Sequence, residues 1–248
     1  MKIAHISDLH IDSSKEIIYG VNPVDNLRRI ISALKPIDDI ELVVVSGDIA
    51  NDGCETSYIL ADQFLGELSV PVMATFGNHD NKKVIVELSS HLHHITFPAQ
   101  YVLNNEVRFR FIDSVTESDD GGNNSSGLIS KCDLESLENS LANDKLKNVL
   151  VLHHPSIEQG GSWIDKRMLG NREEFNQMIA NSGNVIAVLS GHYHCSATNY
   201  IGKTLFSIAP GASTTFGVNL KPFEEAYMPG FDILEIDDKY VKKKTIYI

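Results

Sequence analysis

Apolar positions along the chain follow two rhythms. Five short, almost unbroken apolar runs recur: Lys2 to Ser7, Glu41 to Ser46, Val70 to Phe76, Asn148 to Leu152 and Val185 to Ser190. Runs of this kind, rich in Val and Ile, predict strands buried on both faces. Between them apolar residues return every three or four positions. That spacing predicts helices over Val24–Leu34, Glu55–Glu67, Lys82–His91, Asp133–Ala142 and Arg172–Asn181. Asn22-Pro23 suits the start of the first helix, and Ser130 is placed to cap the fourth. Val107-Arg108-Phe109-Arg110-Phe111 alternates strictly, with Asn104-Asn105 available as a hairpin turn. From residue 199 onward the pattern is β-like. Asn199–Ile201 and Thr204–Ile208 flank Gly202-Lys203, and Phe231–Ile236 with Tyr240–Ile248 predicts a last hairpin. Residues 12–22 and 156–171 read as loops, and the polar, glycine-rich stretch 116–126 reads as a mobile one.

Each of the five apolar runs stops at residues able to bind a metal. Asp8 and His10 follow the first, Asp48 the second and Asn78 the third; His153 follows the fourth, and His192 with His194 the fifth. In open α/β sheets, ligands bind at the carboxyl ends of the strands. If these runs are neighbours in one sheet, seven O and N donors converge. That is too many for one ion and suits two ions sharing a carboxylate. Asp8 and His10, two apart in an extended chain, would address one point. With no cysteine in the set, Mn, Fe, Zn or Co is favoured. Two such ions clamp an in-line displacement at phosphorus and turn water into a nucleophile near neutral pH.

Bulk properties narrow the classes. A length of 248 residues with a continuous α/β pattern predicts one domain over 1–248. A net charge of −12 disfavours a sequence-independent grip on nucleic acid. Lys242-Lys243-Lys244 reads as the end of a solvated strand. Three scattered cysteines, Cys54, Cys132 and Cys195, predict no disulfide framework and a reducing compartment. With no signal-peptide pattern and no apolar run of membrane-spanning length, the expected location is cytoplasmic.

Asp8-Leu9-His10, Gly47-Asp48, Gly77-Asn78-His79-Asp80, His153-His154-Pro155 and Gly191-His192-Tyr193-His194 resemble, in order, the five motifs of the calcineurin-like metallophosphoesterase superfamily. The resemblance runs from residue 1 to about 213. Gly127-Leu128-Ile129-Ser130 before a Leu-rich helix, and Ile208-Ala209-Pro210-Gly211, are similar to bacterial cyclic-nucleotide and glycerophosphodiester phosphodiesterases. The resemblance implies an α/β fold: a two-sheet sandwich flanked by helices, in four layers αββα. It implies that Asp8, His10 and His194 hold one transition-metal ion (Mn, Fe or Zn) and that Asn78, His153 and His192 hold a second. Asp48 would bridge both together with the attacking hydroxide. His79 would contact the phosphoryl oxygen and assist the leaving oxygen, oriented by Asp80. The implied partner is a small phosphodiester, with cyclic nucleotides as candidates, and a homodimer is allowed.

Other residues have blander readings. His154 adjoins His153; we take His153 as the ligand because it directly follows the strand, leaving His154 to line the site or pack. His91, His93 and His94 lack a strand-end position and read as surface or core residues. His5 and Cys195 read as packing. Trp163 and Phe216 sit in loops that either cover the site or build a satellite core. The rival activities on the same motifs are a phosphomonoesterase or protein phosphatase, with a nuclease disfavoured by charge. A scaffold that binds metal without chemistry is a rival of another class, disfavoured because all seven ligand positions and His79 are filled.

Overall fold

The five apolar runs form strands, but in two sheets rather than one. In the computed structural model, which describes residues 1–117, 124–160, 163–216, 228–237 and 240–248, β1 (Lys2–Ile6), β2 (Ile40–Val45), β3 (Val72–Ala74) and β4 (Ile95–Thr96) run parallel in the first sheet. The antiparallel pair β11 (Gly230–Ile236) and β12 (Val241–Tyr247) extends it, giving the order β12-β11-β1-β2-β3-β4. The second sheet holds β5 (Gln100–Leu103), β6 (Val107–Phe111), β7 (Lys147–Val151), β8 (Val185–Ser190), β9 (Ala197–Ile201) and β10 (Thr204–Ile208), in the order β5-β6-β7-β8-β10-β9. Its centre is parallel and its two edge pairs are antiparallel. Most of residues 116–126 lie outside the described residues, so the loop expected there has no structural counterpart to report.

Period two explains the layers. Leu42 and Val44 face the other sheet and meet Phe109, Val149, Val151 and Leu189 in a shared core. Their neighbours Val43 and Val45 point the opposite way, onto Leu27, Ile30 and Ile31 of α1 (Pro23–Leu34) and Tyr58 and Leu65 of α2 (Glu55–Leu65). On the far side Leu150, Val188 and Phe206 pack under Leu134 and Leu137 of α4 (Lys131–Ala142) and Phe175 of α5 (Arg172–Ser182). Four layers result, two helical and two β. Each fully buried Leu, Val or Phe contributes roughly 1.5–3 kcal/mol.

Helix starts are written locally. Asn22 accepts from the Asp25 amide at 3.1 Å, and Ser130 Oγ accepts from the Asp133 amide at 3.1 Å. The helix expected over Lys82–His91 is shorter: α3 covers Lys82–Glu87, with a 3-10 turn at Leu88–Ser90. A distant residue ends it. The Asp62 carboxylate of α2 accepts from the amides of His93, His94 and Ile95 and draws the chain into β4.

Lys243 overturns the reading of a solvated basic run. It alternates inward between its neighbours, and its side chain is 6% exposed. It pairs with Asp232 at 2.9 Å and donates to the carbonyls of Ala197 and Ile208 in the opposite sheet. Among the described residues no helix is long and apolar enough to cross a membrane.

Candidate active site

The carboxyl ends of β1, β2, β3, β7 and β8 meet along the seam between the sheets, and all seven expected donors lie there. Sheet-to-sheet contacts hold the seam closed: the amides of Ala212 and Ser213 donate to the carbonyls of Ser7 and Asp8.

The chain delivers these side chains through left-handed backbone rather than extended strand. Asp8, His10, Asp48, His192 and His194 have φ between 47° and 68°. Asp, Asn and His are the non-glycine types best suited to that region. The i, i+2 geometry inferred for Asp8 and His10 is therefore replaced by tight turns after the strand. Each such residue stores about 1–3 kcal/mol of strain, which the surrounding packing must hold. The glycines in the motifs supply room: a Cβ on Gly77 would strike Asp48 Oδ1, and one on Gly191 would strike Ser7 Oγ.

The donors form two sets joined by Asp48. In one, His10 Nε2 and His194 Nε2 are 3.0 Å apart, and Asp8 Oδ1 is 3.4 Å from His194 Nε2. In the other, His153 Nε2 lies 3.1 Å from both Asn78 Oδ1 and His192 Nδ1. Asp48 Oδ2 stands 3.6 Å from His10 Nε2 and 3.3 Å from His153 Nε2. Donors bound at about 2.0–2.2 Å to a common ion stand roughly 3 Å apart on adjacent corners, so both sets fit a transition-metal ion.

Tautomers follow from fixed acceptors. A backbone carbonyl accepts only, so His153 Nδ1–H donates to Ser46 O at 2.8 Å and His194 Nδ1–H donates to Thr214 O at 3.0 Å. Nε2 of each ring is left toward the cluster, as when a backbone carbonyl fixes the far nitrogen of a metal-binding imidazole. Burial holds His10 and His192 down at about 3, keeping both neutral and able to ligate. Burial also opposes charge on His153, yet the Asp48 carboxylate outweighs it and raises that ring to about 9. Asp48 stays well below the usual carboxylate range despite burial, because His153 and His79 face it. The field at the centre of the cluster favours positive charge.

His79 stands beside the centre, where a ring nitrogen could join His10 and Asp48, and it is anchored from behind. Its Nδ1–H donates to the Asn51 carbonyl at 3.2 Å, its amide donates to Asp48 Oδ1 at 2.8 Å, and its ring stands edge-on to His10. The Asp80 carboxylate accepts from the amides of Ile49, Ala50 and Gly77. It therefore shapes the turns carrying Asp48 and Asn78. Burial, with Asp48 nearby, raises Asp80 to about 6.

His154 is fully buried, with Nδ1 at 2.9 Å from Ser114 Oγ, and its ring stacks obliquely near His192. It can join His153 and His192 as a third nitrogen donor, which keeps open the choice between neighbours. His5 bonds Ser46 Oγ at 2.8 Å beneath the site. His91, His93 and His94 lie on the surface, away from the donors. Trp163 and Phe216 both line the cleft above the donors, as do Tyr19 and Arg167, which the sequence reading missed. No local pattern marks either of these; both sit in loops outside the motifs and reach the cleft only through folding.

Comparison with known proteins agrees with this geometry. The family model for calcineurin-like phosphoesterases matches residues 1–196. A probable cyclic nucleotide phosphodiesterase of Coxiella burnetii is 29% identical over 241 residues, covering 97% of this chain and 90% of that protein. Another, from Vesicomyosocius okutanii, is 33% identical over 196 residues, 79% of each chain. A dimetal phosphatase of Danio rerio shares the fold, with a TM-score of 0.70 at 14% identity, over 100% of this chain and 98% of that one. With a family match across most of its length and with His and Asp clusters able to hold metal ions, the chain belongs to the calcineurin-like phosphoesterases and is a metal-dependent phosphoester hydrolase.

Proposed function

We propose that this protein hydrolyses phosphodiesters, with cyclic nucleotides as the substrate class. The relatives named probable cyclic nucleotide phosphodiesterases, aligned over most of the chain, support the substrate class. The observation that carries the chemistry is the placement of His79, an imidazole that lines the cleft edge-on to His10 with its amide held by Asp48.

Asp8, His10 and His194 would hold one ion, Asn78, His153 and His192 the second, and Asp48 both. When bound, such a pair supplies a hydroxide nucleophile near neutral pH and neutralises charge building on the phosphoryl oxygens. The protein's own work is positioning. Asp8 accepts the His192 amide at 3.0 Å, so the two strand-end turns move as one. Asp48 likewise fixes the His79 amide. Because Nδ1 of His79 is committed to Asn51, Nε2 is the nitrogen left to donate a proton to the departing alkoxide. An alcohol leaving group needs that proton, since an alkoxide is strongly basic.

The test compares bis-p-nitrophenyl phosphate with p-nitrophenyl phosphate, using protein stripped of metal and resupplied with Mn, and Asn78→Ala as the control. Faster diester turnover, lost in the control, supports the reading and leads to cyclic AMP. Faster monoester turnover would replace it with a phosphomonoesterase.

A further inference from the structure

The donors occupy only the floor of the cleft. Above them lies a space of about 100 Å³, and among its described walls are the aromatic rings of Tyr19, Trp163 and Phe216. Phe216 stacks on His194, with ring centres 4.5 Å apart and planes 14° apart. Tyr19 stands edge-on to Phe216 and His10, held there by left-handed backbone at φ 51°. Trp163 carries the Arg167 guanidinium 5.7 Å above its ring.

Two features of this pair are unexplained by packing. Arg167 is exposed, has no carboxylate partner among the described residues, and is the one Arg or Lys lining the cleft. The indole Nε1 of Trp163 is buried with no acceptor among the described residues. A buried donor left unpaired is costly, and a ligand acceptor would satisfy it. The pair is also fixed in place. Arg167 closes a 3-10 turn, Asp165–Arg167, and Asp165 accepts from the hydroxyl of Tyr193, which lies between His192 and His194. Gly127 and Ser126 tie to the backbone of Met168 and Lys166 on the same loop. The wall is thus pinned to the strand-end turn that carries two of the donors.

We propose that Trp163 and Arg167 form the subsite for the organic group of the substrate, and that this group is an aromatic nucleobase. The proposal rests on the phosphodiesterase reading and names its specificity residues. Planar bases stack on indole and guanidinium faces and offer ring nitrogens or carbonyls to an indole N–H. A glycerol group offers neither a plane nor a need for one. The hydroxyls of a polyol call for carboxylate acceptors, and the carboxylate lining this cleft, Asp48, is engaged on the floor.

The sequence contains one tryptophan, so intrinsic indole fluorescence reports on this subsite alone. We would titrate the full-length, zinc-loaded protein with adenosine 5′-monophosphate and, separately, with glycerol 3-phosphate. Both carry a phosphate for the floor; only one carries a base. The expected result is saturable fluorescence change with the nucleotide and none with glycerol 3-phosphate. Arg167→Gln should weaken nucleotide binding about 2- to 30-fold, with its unfolding midpoint unchanged because Arg167 is exposed. Equal responses to both ligands, no response to the nucleotide, or unchanged affinity in Arg167→Gln would overturn the proposal. The turnover assay stands apart: nucleotide binding at Trp163 without diester hydrolysis would sink the phosphodiesterase reading and keep the subsite. Diester hydrolysis without a fluorescence response would do the reverse.

Discussion

Two charged clusters are buried in the seam between the sheets, and they resolve their charge in opposite ways. At Asp232 and Lys243 the accounts are closed. Lys243 donates to Asp232 Oδ2, Ala197 O and Ile208 O, using all three of its N–H groups. Asp232 also accepts from Thr245 at 2.6 Å and Ser207 at 3.4 Å. At the strand ends the balance is open. Two carboxylates, one carboxamide oxygen and four ring nitrogens face one another at 3.0–3.6 Å with acceptors outnumbering donors. The first cluster is a cross-sheet tie; the second is a place for cations. A buried charge that finds its partners inside the chain is structural, whereas one left facing other acceptors is set up for a guest.

Substitutions should separate the two by their response to metal. Asp48→Asn removes the shared carboxylate. Turnover should fall by roughly 10³-fold or more, and elemental analysis should find fewer than two ions per chain. Retention of both ions at full turnover would break the comparison. His79→Gln should lower kcat by about 10²–10⁴-fold while leaving metal content intact. Loss of metal in that variant would make His79 a ligand.

Lys243→Met should act on stability alone, costing roughly 3–5 kcal/mol, because Asp232 is left buried and unpaired. That cost should be the same with and without chelator in urea unfolding. The wild type, by contrast, should lose about 2.7 kcal/mol when chelator removes an ion present at 100 times its Kd. Replacing both partners, Asp232→Leu with Lys243→Met, should restore much of the loss; failure to do so would mean that the pair does more than neutralise itself.

The last effect is expected in acid and is read as a slope. Burial, helped by the charge of Lys243, lowers His5 from 6.5 to about 3, with Asp8 opposing. The unfolded chain then binds a proton that the folded one refuses between those values. Stability from this residue is present above pH 6.5 and is lost as pH falls, by up to about 1.4 kcal/mol per pH unit. His5→Gln should flatten the acid limb of the unfolding curve by that slope. An unchanged limb would show that the proton is taken up elsewhere.

Much of this was legible in the chain. The strands β1, β2, β7 and β8 stand where the short apolar runs placed them, and α1 and α4 begin at the caps Asn22 and Ser130. The donor residues themselves could be named, since strand ends in α/β sheets gather ligands. What failed did so for one kind of reason. Lys82–His91 looked helical throughout, but Asp62, some thirty residues away, captured the amides beyond it. Lys243 looked solvated because its acceptors, Ala197 and Ile208, belong to another sheet.

By itself the sequence determined the periodic elements, the order of the motifs and the residue types offered at each strand end, because these depend on covalent neighbours and on side-chain chemistry. Only the tertiary structure decided which strands share a sheet, which nitrogen of each imidazole faces the cluster, and that Asp8, His10, Asp48, His192 and His194 turn through left-handed backbone. It also brought Tyr19, Trp163, Arg167 and Phe216 to one cleft. Those outcomes are set by contacts between residues far apart in the chain. A strand buried on both faces reads the same whichever sheet it joins, so no local pattern could have announced them.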